Sequence, residues 1–271
     1  MKKPYFLLVA FMISLNNFLG AATITVTNGN DAGAGSLRDA IATAMAGDDI
    51  AFSGVTTVTL TSAELVINKN LTFNGGTGVT ITRSGATEFR IFRVSGAATT
   101  VVFNKLSITN GKQASQAGGL ENNGILTLND CMIANNAAGQ GGGLQNNGTM
   151  TMNRCFVHSN TMTAGGGGCG LIIYSNNTTT LNNCVFTNNQ MGYAIDIQSN
   201  GTLTITNCTI AKNTGGINIG NGSAVVTLKN TIVAENTNTT NANILNNNVS
   251  ASSAYNLIGT EGGNGGLTNG D

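Results

Sequence analysis

Two residues of opposite charge, Asp130 and Arg154, stand 24 residues apart, and each directly precedes a cysteine. If the two segments lie side by side, the carboxylate could serve as a metal ligand and the guanidinium as a base. One carboxylate is too few for a Ca²⁺ site, however. The pair is therefore better interpreted as a weak ion pair on the surface.

Three other features could take part in chemistry. Lys212 and Glu235 are matched in the same way and predict a second surface pair. His158 is the only histidine, so a metal or catalytic role lacks a second partner. Arg90 and Arg93 flank Phe92 with strand alternation, which predicts that both face outward, where they could contact a sugar acid; a solvated face is the commoner outcome. We predict no catalytic residue, metal site or cofactor, and the substrate-binding residues remain unknown.

The glycine runs predict bends in the chain. No helix pattern or Lys-Ser/Thr follows residues 141–143 or 165–168, so neither run indicates a phosphate-binding loop. Residues 262–267 are close to one Ca²⁺-binding nonapeptide, but Leu267 replaces the required Asp and there is one copy, so we reject a calcium site.

The charged pairs align because the chain repeats itself. The segment GGLENNGILTLNDCMIANN begins at Gly118, and GGLQNNGTMTMNRCFVHSN ends at Asn160. Such a period indicates one structural unit stacked on copies of itself. The cysteine position recurs at spacings of 25, 24, 29, 24 and 23 residues, and it is held by Leu106, Cys131, Cys155, Cys184, Cys208 and Thr231.

Apolar residues five and three places before this position, and two places after it, predict short half-buried strands. Such strands bury their inner faces only when the copies stack, so the sequence predicts a parallel β-helix with an inward ladder of thiols at Cys131, Cys155, Cys184 and Cys208. Asn also tolerates the left-handed backbone of a sharp bend, and buried amides can bond from copy to copy. A column of asparagines, preceded by Gly111, is expected to do both: Asn136, Asn160, Asn189, Asn213 and Asn236. A second bend is predicted at Asn-Gly pairs, at residues 123–124, 147–148, 200–201 and 221–222.

These motifs resemble those of right-handed β-helix proteins of the pectin-lyase-like superfamily, in particular bacterial secreted or surface proteins. The segment from Phe186 to Asn189 also matches the F-x-x-N motif of chlamydial polymorphic outer-membrane proteins. The resemblance covers about residues 23–259 and implies an all-β fold, a single-stranded right-handed parallel β-helix. Enzymes of the superfamily cleave acidic polysaccharides with Ca²⁺-binding carboxylates and an Arg or Lys base, or with a cluster of Asp residues.

The chain divides into four predicted parts. Residues 1–22 predict a secretory signal peptide, with Lys2 and Lys3 before an apolar run and a cut after Ala22. Residues 23–49 predict a strand at 23–26 and an amphipathic helix that caps the open end of the β-helix. Ser36 and Asp39 predict a capping box, Met45 lies on the apolar face, and Gly47 ends the helix.

Residues 50–259 form the predicted β-helix, in which the early strands are expected at 50–52, 58–60, 65–67, 71–73, 79–81 and 91–94. Residues 260–271 form a Gly/Asn-rich tail. Relatives continue beyond a segment like YNLIG, so we expect the last coil to be uncapped and the chain to be truncated.

Composition restricts the partners. Without Lys2 and Lys3, ten basic residues face twelve acidic ones, and only 9% of residues are charged, which argues against nucleic acid or an anionic membrane as partner. No later segment is apolar for long enough to span a bilayer. The five cysteines are odd in number and fit stacked thiols better than disulfides. Cys169 lies off the ladder, where it could be exposed.

Two functions follow. The first is an exported, non-catalytic β-helix of a bacterial surface or secreted protein, an adhesin- or passenger-like scaffold that contacts glycans or other surface proteins. The alternative is a polysaccharide lyase or glycoside hydrolase acting on acidic polysaccharides, which the resemblance alone implies. The insertion at residues 161–174 is the best place for an active site, yet it contains no acid or base.

Overall fold

The computed structural model describes residues 20–164, 167–174, 176–220, 223–237, 243–245, 249–250 and 252–259. Within these residues the chain winds through about nine coils of a parallel β-helix, which confirms the predicted all-β solenoid. Residues 1–19, most of the predicted signal peptide, and the tail at 260–271 lie outside the described residues.

Short strands make up each coil. In chain order the described elements are β1 (Thr23–Val26), α1 (Leu37–Thr43), β2 (Asp49–Phe52), β3 (Thr57–Leu60), β4 (Leu65–Ile67), β5 (Leu71–Arg83), β6 (Phe92–Val94), β7 (Thr100–Thr109), β8 (Lys112–Gln116), β9 (Leu120–Asn122), β10 (Ile125–Asn129), β11 (Met132–Ala134), β12 (Ala137–Gln140), β13 (Leu144–Asn146), β14 (Thr149–Asn153), β15 (Phe156–His158), β16 (Thr161–Met162), β17 (Gly168–Ile173), β18 (Thr178–Asn182), β19 (Val185–Thr187), β20 (Tyr193–Ile197), β21 (Thr202–Thr206), β22 (Thr209–Ala211), β23 (Gly215–Ile219), β24 (Val225–Lys229), β25 (Ile232–Ala234), β26 (Ile244–Leu245) and β27 (Leu257–Ile258).

These strands form three parallel sheets along the axis. Sheet A has sixteen strands, and its main path is β24-β21-β18-β14-β10-β7-β11-β15-β19-β22-β25-β27. Sheet B has eight strands in the order β26-β23-β20-β17-β13-β9-β6-β4, and sheet C is formed by β16, β12 and β8. A regular coil therefore contributes one strand to sheet B and two to sheet A.

The register confirms the alignment of the repeats. Leu126 pairs with Val101 and Met150, and Ile133 pairs with Ile108 and Val157. Their side chains point inward and are buried in one apolar cluster that runs from the first coil to the last described ones. Because equivalent residues stack, each coil buries its apolar face against its neighbours rather than within itself.

The bends differ in detail from the prediction. The left-handed residues are those directly before the cysteine and asparagine columns, with φ of 55° at Asp130, 53° at Arg154 and 57° at Asn135. The column asparagines themselves stay outside this region, because their amides point inward as hydrogen-bonding groups. At the Asn-Gly bend Gly148 is needed for space, since a Cβ would lie 2.0 Å from the carbonyl oxygen of Gly124. Residues 221–222 lie outside the described residues.

The predicted asparagine ladder is confirmed. Asn160 Oδ1 accepts from the backbone N–H and Nδ2 of Asn136, at 3.1 and 3.0 Å, and Asn160 Nδ2 donates to Asn189 Oδ1 at 3.0 Å. The same pattern continues through Asn213 to Asn236. All of these amides are buried, so the ladder satisfies polar groups that would otherwise lack water.

Helix α1 packs on the first coil as predicted. Ser36 Oγ accepts from the N–H of Asp39 at 3.2 Å, while the N–H of Ser36 donates to Gly33 rather than to the Asp39 carboxylate, so only half of the predicted capping box forms. The helix ends at Thr43, and Met45 beyond it is 64% exposed, contrary to its predicted place on the apolar face. The predicted strands at 71–73 and 79–81 are joined in the longer β5, across a register shift between Asn74 and Val79.

We predict that Asn160→Ala lowers the free energy of unfolding by about 3 kcal/mol, because it leaves several buried donors and acceptors without partners. Urea denaturation measures the loss. The matched control is Asn153→Ala, which removes the bond from Asn153 to Asn129 in a half-buried ladder on the outer face and should cost about 1 kcal/mol. Equal losses in the two variants would show that the inner ladder has no special weight.

Candidate functional site

Four charged residues meet at the end of sheet B nearest the capping helix. Glu64 directly precedes β4, Arg90 comes before β6, Arg93 lies on β6, and Glu121 lies on β9. Arg93 is paired in register with Glu121, so their side chains stand next to each other on the outer face of the sheet. We call Glu64, Arg90, Arg93 and Glu121 the charged cluster.

Ion pairs link all four residues. Arg90 Nε lies 3.0 Å from Glu64 Oε2, Arg90 Nη1 contacts Glu121 Oε2, and Arg93 Nη2 lies 2.7 Å from Glu64 Oε1. Burial lowers the pKa of Arg90, with Glu64 opposing the shift and Arg93 adding to it. The cluster thus holds two cations and two anions in a partly desolvated place.

The prediction that Arg90 and Arg93 both face solvent is wrong for Arg90. Its side chain is only 11% exposed, whereas that of Arg93 is 41% exposed. The alternation breaks because Ile91 and Phe92 are both fully buried, and the N–H groups of both donate to the carbonyl of Gly119. Arg93 is therefore the member of the cluster that a ligand could reach.

A cleft of about 370 Å³ lies beside the cluster, between α1 and β4, and it shares Glu64 with it. Its walls also contain Arg38, which lies 2.6 Å from Asp31, and Lys69, whose Nζ donates to the carbonyl of Ala44 at 2.7 Å. Burial opposes the ionisation of Asp31, but hydrogen bonds from Arg38 and Ser62 outweigh it and lower the pKa of Asp31 to about 2. These contacts hold the basic groups in place.

Amide side chains extend the cluster along the sheet. Glu121 Oε1 accepts from Asn123 Nδ2 at 3.1 Å, and Asn147 Nδ2 donates to Asn123 Oδ1 at 2.8 Å. Gln145, paired in register with Glu121, donates to Asn147 Oδ1 at 3.1 Å. The outer face of sheet B therefore continues from charged to neutral hydrogen-bonding groups.

A buried carboxylate, Asp196 on β20, lies further along the same face. Its oxygens accept from Gln198 Nε2 and Asn218 Nδ2, both at 2.8 Å. The insertion lies over it, since a Cβ on Gly167 would be 3.6 Å from Asp196 Oδ2. Burial raises the pKa of Asp196, although the two amide bonds oppose the shift. The insertion has no acid of its own, but it covers one that the sequence analysis missed.

A repeat signal for this face does exist in the sequence. One outward position of sheet B follows a single register along the axis, and it is held by Val66, Arg93, Glu121, Gln145, Ile172, Asp196, Asn218 and Leu245. It is the residue after the GG-aliphatic motif in two copies, Glu121 and Gln145. Aligning this column as well as the cysteine column would have revealed the site.

The sequence-predicted pairs lie elsewhere, on the outer corners of sheet A. Arg154 Nε and Nη2 donate to the two carboxylate oxygens of Asp130, at 2.7 and 2.8 Å, and the hydrogen bond from Arg154 lowers the pKa of Asp130. Lys212 Nζ and Glu235 Oε2 are 3.8 Å apart and exposed. His158 stacks on the ring of Phe156, with centroids 4.3 Å apart, and partial burial lowers its pKa. Both pairs are surface ion pairs, as predicted.

The thiol ladder is confirmed and Cys169 is a correction. The N–H of Cys155 donates to Cys184 Sγ at 3.4 Å, and that of Cys184 to Cys208 Sγ at 3.3 Å. All five cysteines are free and buried. Cys169, expected to be exposed, is fully buried in β17 with its thiol 3.0 Å from the carbonyl oxygen of Tyr193, and burial raises its pKa to about 12.

The glycine bend at 141–143 is confirmed. Gly141 has a φ of 61°, and a Cβ on Gly142 or Gly143 would lie 2.5 or 2.6 Å from a backbone oxygen. In the part of the chain that the structure describes, no three His, Cys, Asp or Glu side chains are close enough together to hold a metal ion. Nor does any described helix have the length and apolarity that a bilayer crossing requires. Residues 262–267 lie outside the described chain.

A family model described as "Right handed beta helix region" matches residues 50–237. The chain belongs to this right-handed β-helix family. Among solved structures, it resembles the crystal structure of pectate lyase Pel9A, with a TM-score of 0.61 and 14% sequence identity over 90% of this chain and 77% of that one. At this identity the likeness shows the fold alone. No curated protein matches the chain.

We predict that Asp196 makes the stability of the β-helix fall as the pH rises from the usual carboxyl range. Its folded pKa is raised, so the folded state holds the proton over a window in which the unfolded chain has lost it, and ionisation then costs stability. Urea midpoints of the native chain and of Asp196→Asn, measured from about pH 3.5 to 7, test this.

Asp31→Asn is the control of opposite sign. The lowered pKa of Asp31 gives stability that is present above the ordinary Asp pKa and is lost as the pH falls toward 2. A constant difference between the native chain and Asp196→Asn across the whole pH range would refute the raised pKa of Asp196.

Proposed function

We propose that the chain is an exported, non-catalytic β-helix scaffold of a secreted or surface protein, which binds acidic glycans at the charged cluster. Its role is that of an adhesin or passenger domain. The proposal combines the predicted signal peptide, the regular stacking of the coils and the basic side chains at the exposed end of sheet B.

One observation carries the non-catalytic part of this proposal: the carboxylates in and near the cleft are already bound by the chain itself. Glu64 is held by Arg90 and Arg93, Glu121 by Arg90 and two asparagines, and Asp31 by Arg38. A carboxylate engaged in this way is a poor ligand for Ca²⁺ and a poor acid or base, because a substrate must first displace its partner.

The glycan part rests on Arg93. Its guanidinium uses one nitrogen on Glu64 and is 41% exposed, so it can accept a second carboxylate. Arginine binds carboxylates through two parallel N–H bonds, and the neighbouring amides of Asn123 and Asn147 suit the hydroxyls of a sugar ring. The ligand that fits this combination is an oligosaccharide containing uronic acid.

The alternative, a polysaccharide lyase or hydrolase, has its support in the fold likeness to a pectate lyase. In such an enzyme Arg93 would have to leave Glu64 and act as the base, with carboxylates free for a metal. The two proposals differ in product: a scaffold returns the glycan unchanged, whereas a lyase generates an unsaturated uronide.

We predict that Arg93→Ala weakens binding of an acidic oligosaccharide by about tenfold, the loss expected for one charge-assisted hydrogen bond. Calorimetry with oligogalacturonate and with its neutral, reduced counterpart measures this. Arg154→Ala, which removes an arginine from an exposed corner of sheet A, is the matched control and should bind normally. Binding that is the same in both variants would argue against the cluster, and accumulation of unsaturated uronide with Ca²⁺ would establish the lyase instead.

We also predict that a bacterial host exports the full chain and removes residues 1–22. The mass of the exported protein should then correspond to a chain that begins at Thr23. Retention of the unprocessed chain inside the cell would contradict the export proposal, and the glycan measurement would remain independent of it.

A further inference from the structure

A second surface, on sheet A, carries threonines instead of charges. In three adjacent strands, β14, β18 and β21, the sequence Thr-x-Thr directs two threonines outward and buries the residue between them. The neighbouring strands β10 and β24 add one outward threonine each. We call this set the threonine face: Thr127, Thr149, Thr151, Thr178, Thr180, Thr202, Thr204 and Thr227.

The register places these residues on a lattice. Thr151 pairs with Thr127 and Thr180, Thr204 pairs with Thr180 and Thr227, and Thr178 pairs with Thr202. In a parallel sheet such partners are about 4.8 Å apart across the strands, and outward residues of one strand are about 6.6 Å apart. The result is a flat array with two fixed repeats, one along the axis and one across it.

The hydroxyls of this array are available. Within the described residues, none of the eight side chains makes a hydrogen bond to the protein, and all are half-buried or exposed. The adjacent asparagine column is different, because Asn129, Asn153 and Asn182 bond to one another along the axis at 2.9 to 3.0 Å. The asparagines thus hold the strands in place, while the threonines keep their hydrogen-bonding capacity for solvent.

The face also combines polar and apolar groups without charge. Each threonine presents a methyl group beside its hydroxyl, and the first outward column ends in Ile125 and Val225, which are 41% and 48% exposed. Buried apolar residues and the internal ladders support the strands from behind, so the spacing of the threonines is fixed by the fold. A rigid array of this kind orders water at set intervals, since each bound water needs partners in defined positions.

We propose that the threonine face binds the surface of ice. The oxygen atoms of hexagonal ice repeat at similar intervals along its a and c axes, so waters held on the two threonine columns can join the crystal lattice. A crystalline polysaccharide is the less suitable solid partner, because the face has no aromatic ring on which a sugar could stack. This activity is separate from the glycan proposal, which concerns sheet B.

The test uses the full chain in two assays: the fraction of protein taken up by a slowly growing ice hemisphere, and the growth of ice grains in an annealed frozen film. The native chain should enter the ice and keep the grains small. The double variant Thr151→Lys and Thr180→Lys places two charges at the centre of the lattice and should lose both activities. Thr187→Lys, on the other half of sheet A, is the matched control and should retain them.

Circular dichroism and urea midpoints establish that each variant is folded. If the double variant fails to fold, Thr202→Lys replaces it, because that residue is exposed at the start of β21 and a lysine there can extend into solvent. Exclusion of the native chain from ice would overturn the proposal. So would equal ice uptake by the folded lattice variant and by Thr187→Lys.

Discussion

The structure depends on one constraint, the alignment of equivalent residues in successive coils. A buried amide such as Asn160 has its partners one coil before and one coil after it, at Asn136 and Asn189, and none within its own coil. The same holds for the cysteine column, where backbone N–H groups donate to the thiol of the next coil. A slip of one residue would turn the inward columns outward and leave these groups unpaired, so the ladders fix the register of both sheets.

This constraint separates the surfaces from the core. Inward positions are determined by stacking, whereas outward positions vary in groups according to the sheet on which they lie. Sheet B carries charges and amides, from Arg93 through Glu121 to Asp196, and the first half of sheet A carries threonines. The two surfaces can therefore serve different ligands, since changing one outward column leaves the hydrogen bonds of the interior untouched.

Much of the fold could be predicted from the sequence, because the 24-residue period between Cys131 and Cys155 maps directly onto neighbouring strands. The site was harder to predict. Arg90 is buried by a local break in alternation, and Glu64 reaches Arg90 across 26 residues of less regular sequence. Cys169 is buried because the insertion folds back on sheet B, which no periodicity describes. Long-range contacts made by irregular segments leave no signal in the repeat.

The corners have a consequence for the length of the molecule. Asp130 and Arg154 have the same left-handed backbone, and each is followed by a cysteine of the same ladder. Joining Asp130 directly to Cys155 would therefore remove one whole coil and leave every remaining corner in its own conformation. Genetic loss or duplication of such a unit shortens or extends the rod by a single step of about 4.8 Å. The fold thus acts as a molecular ruler whose graduations can be added or removed without altering the ends.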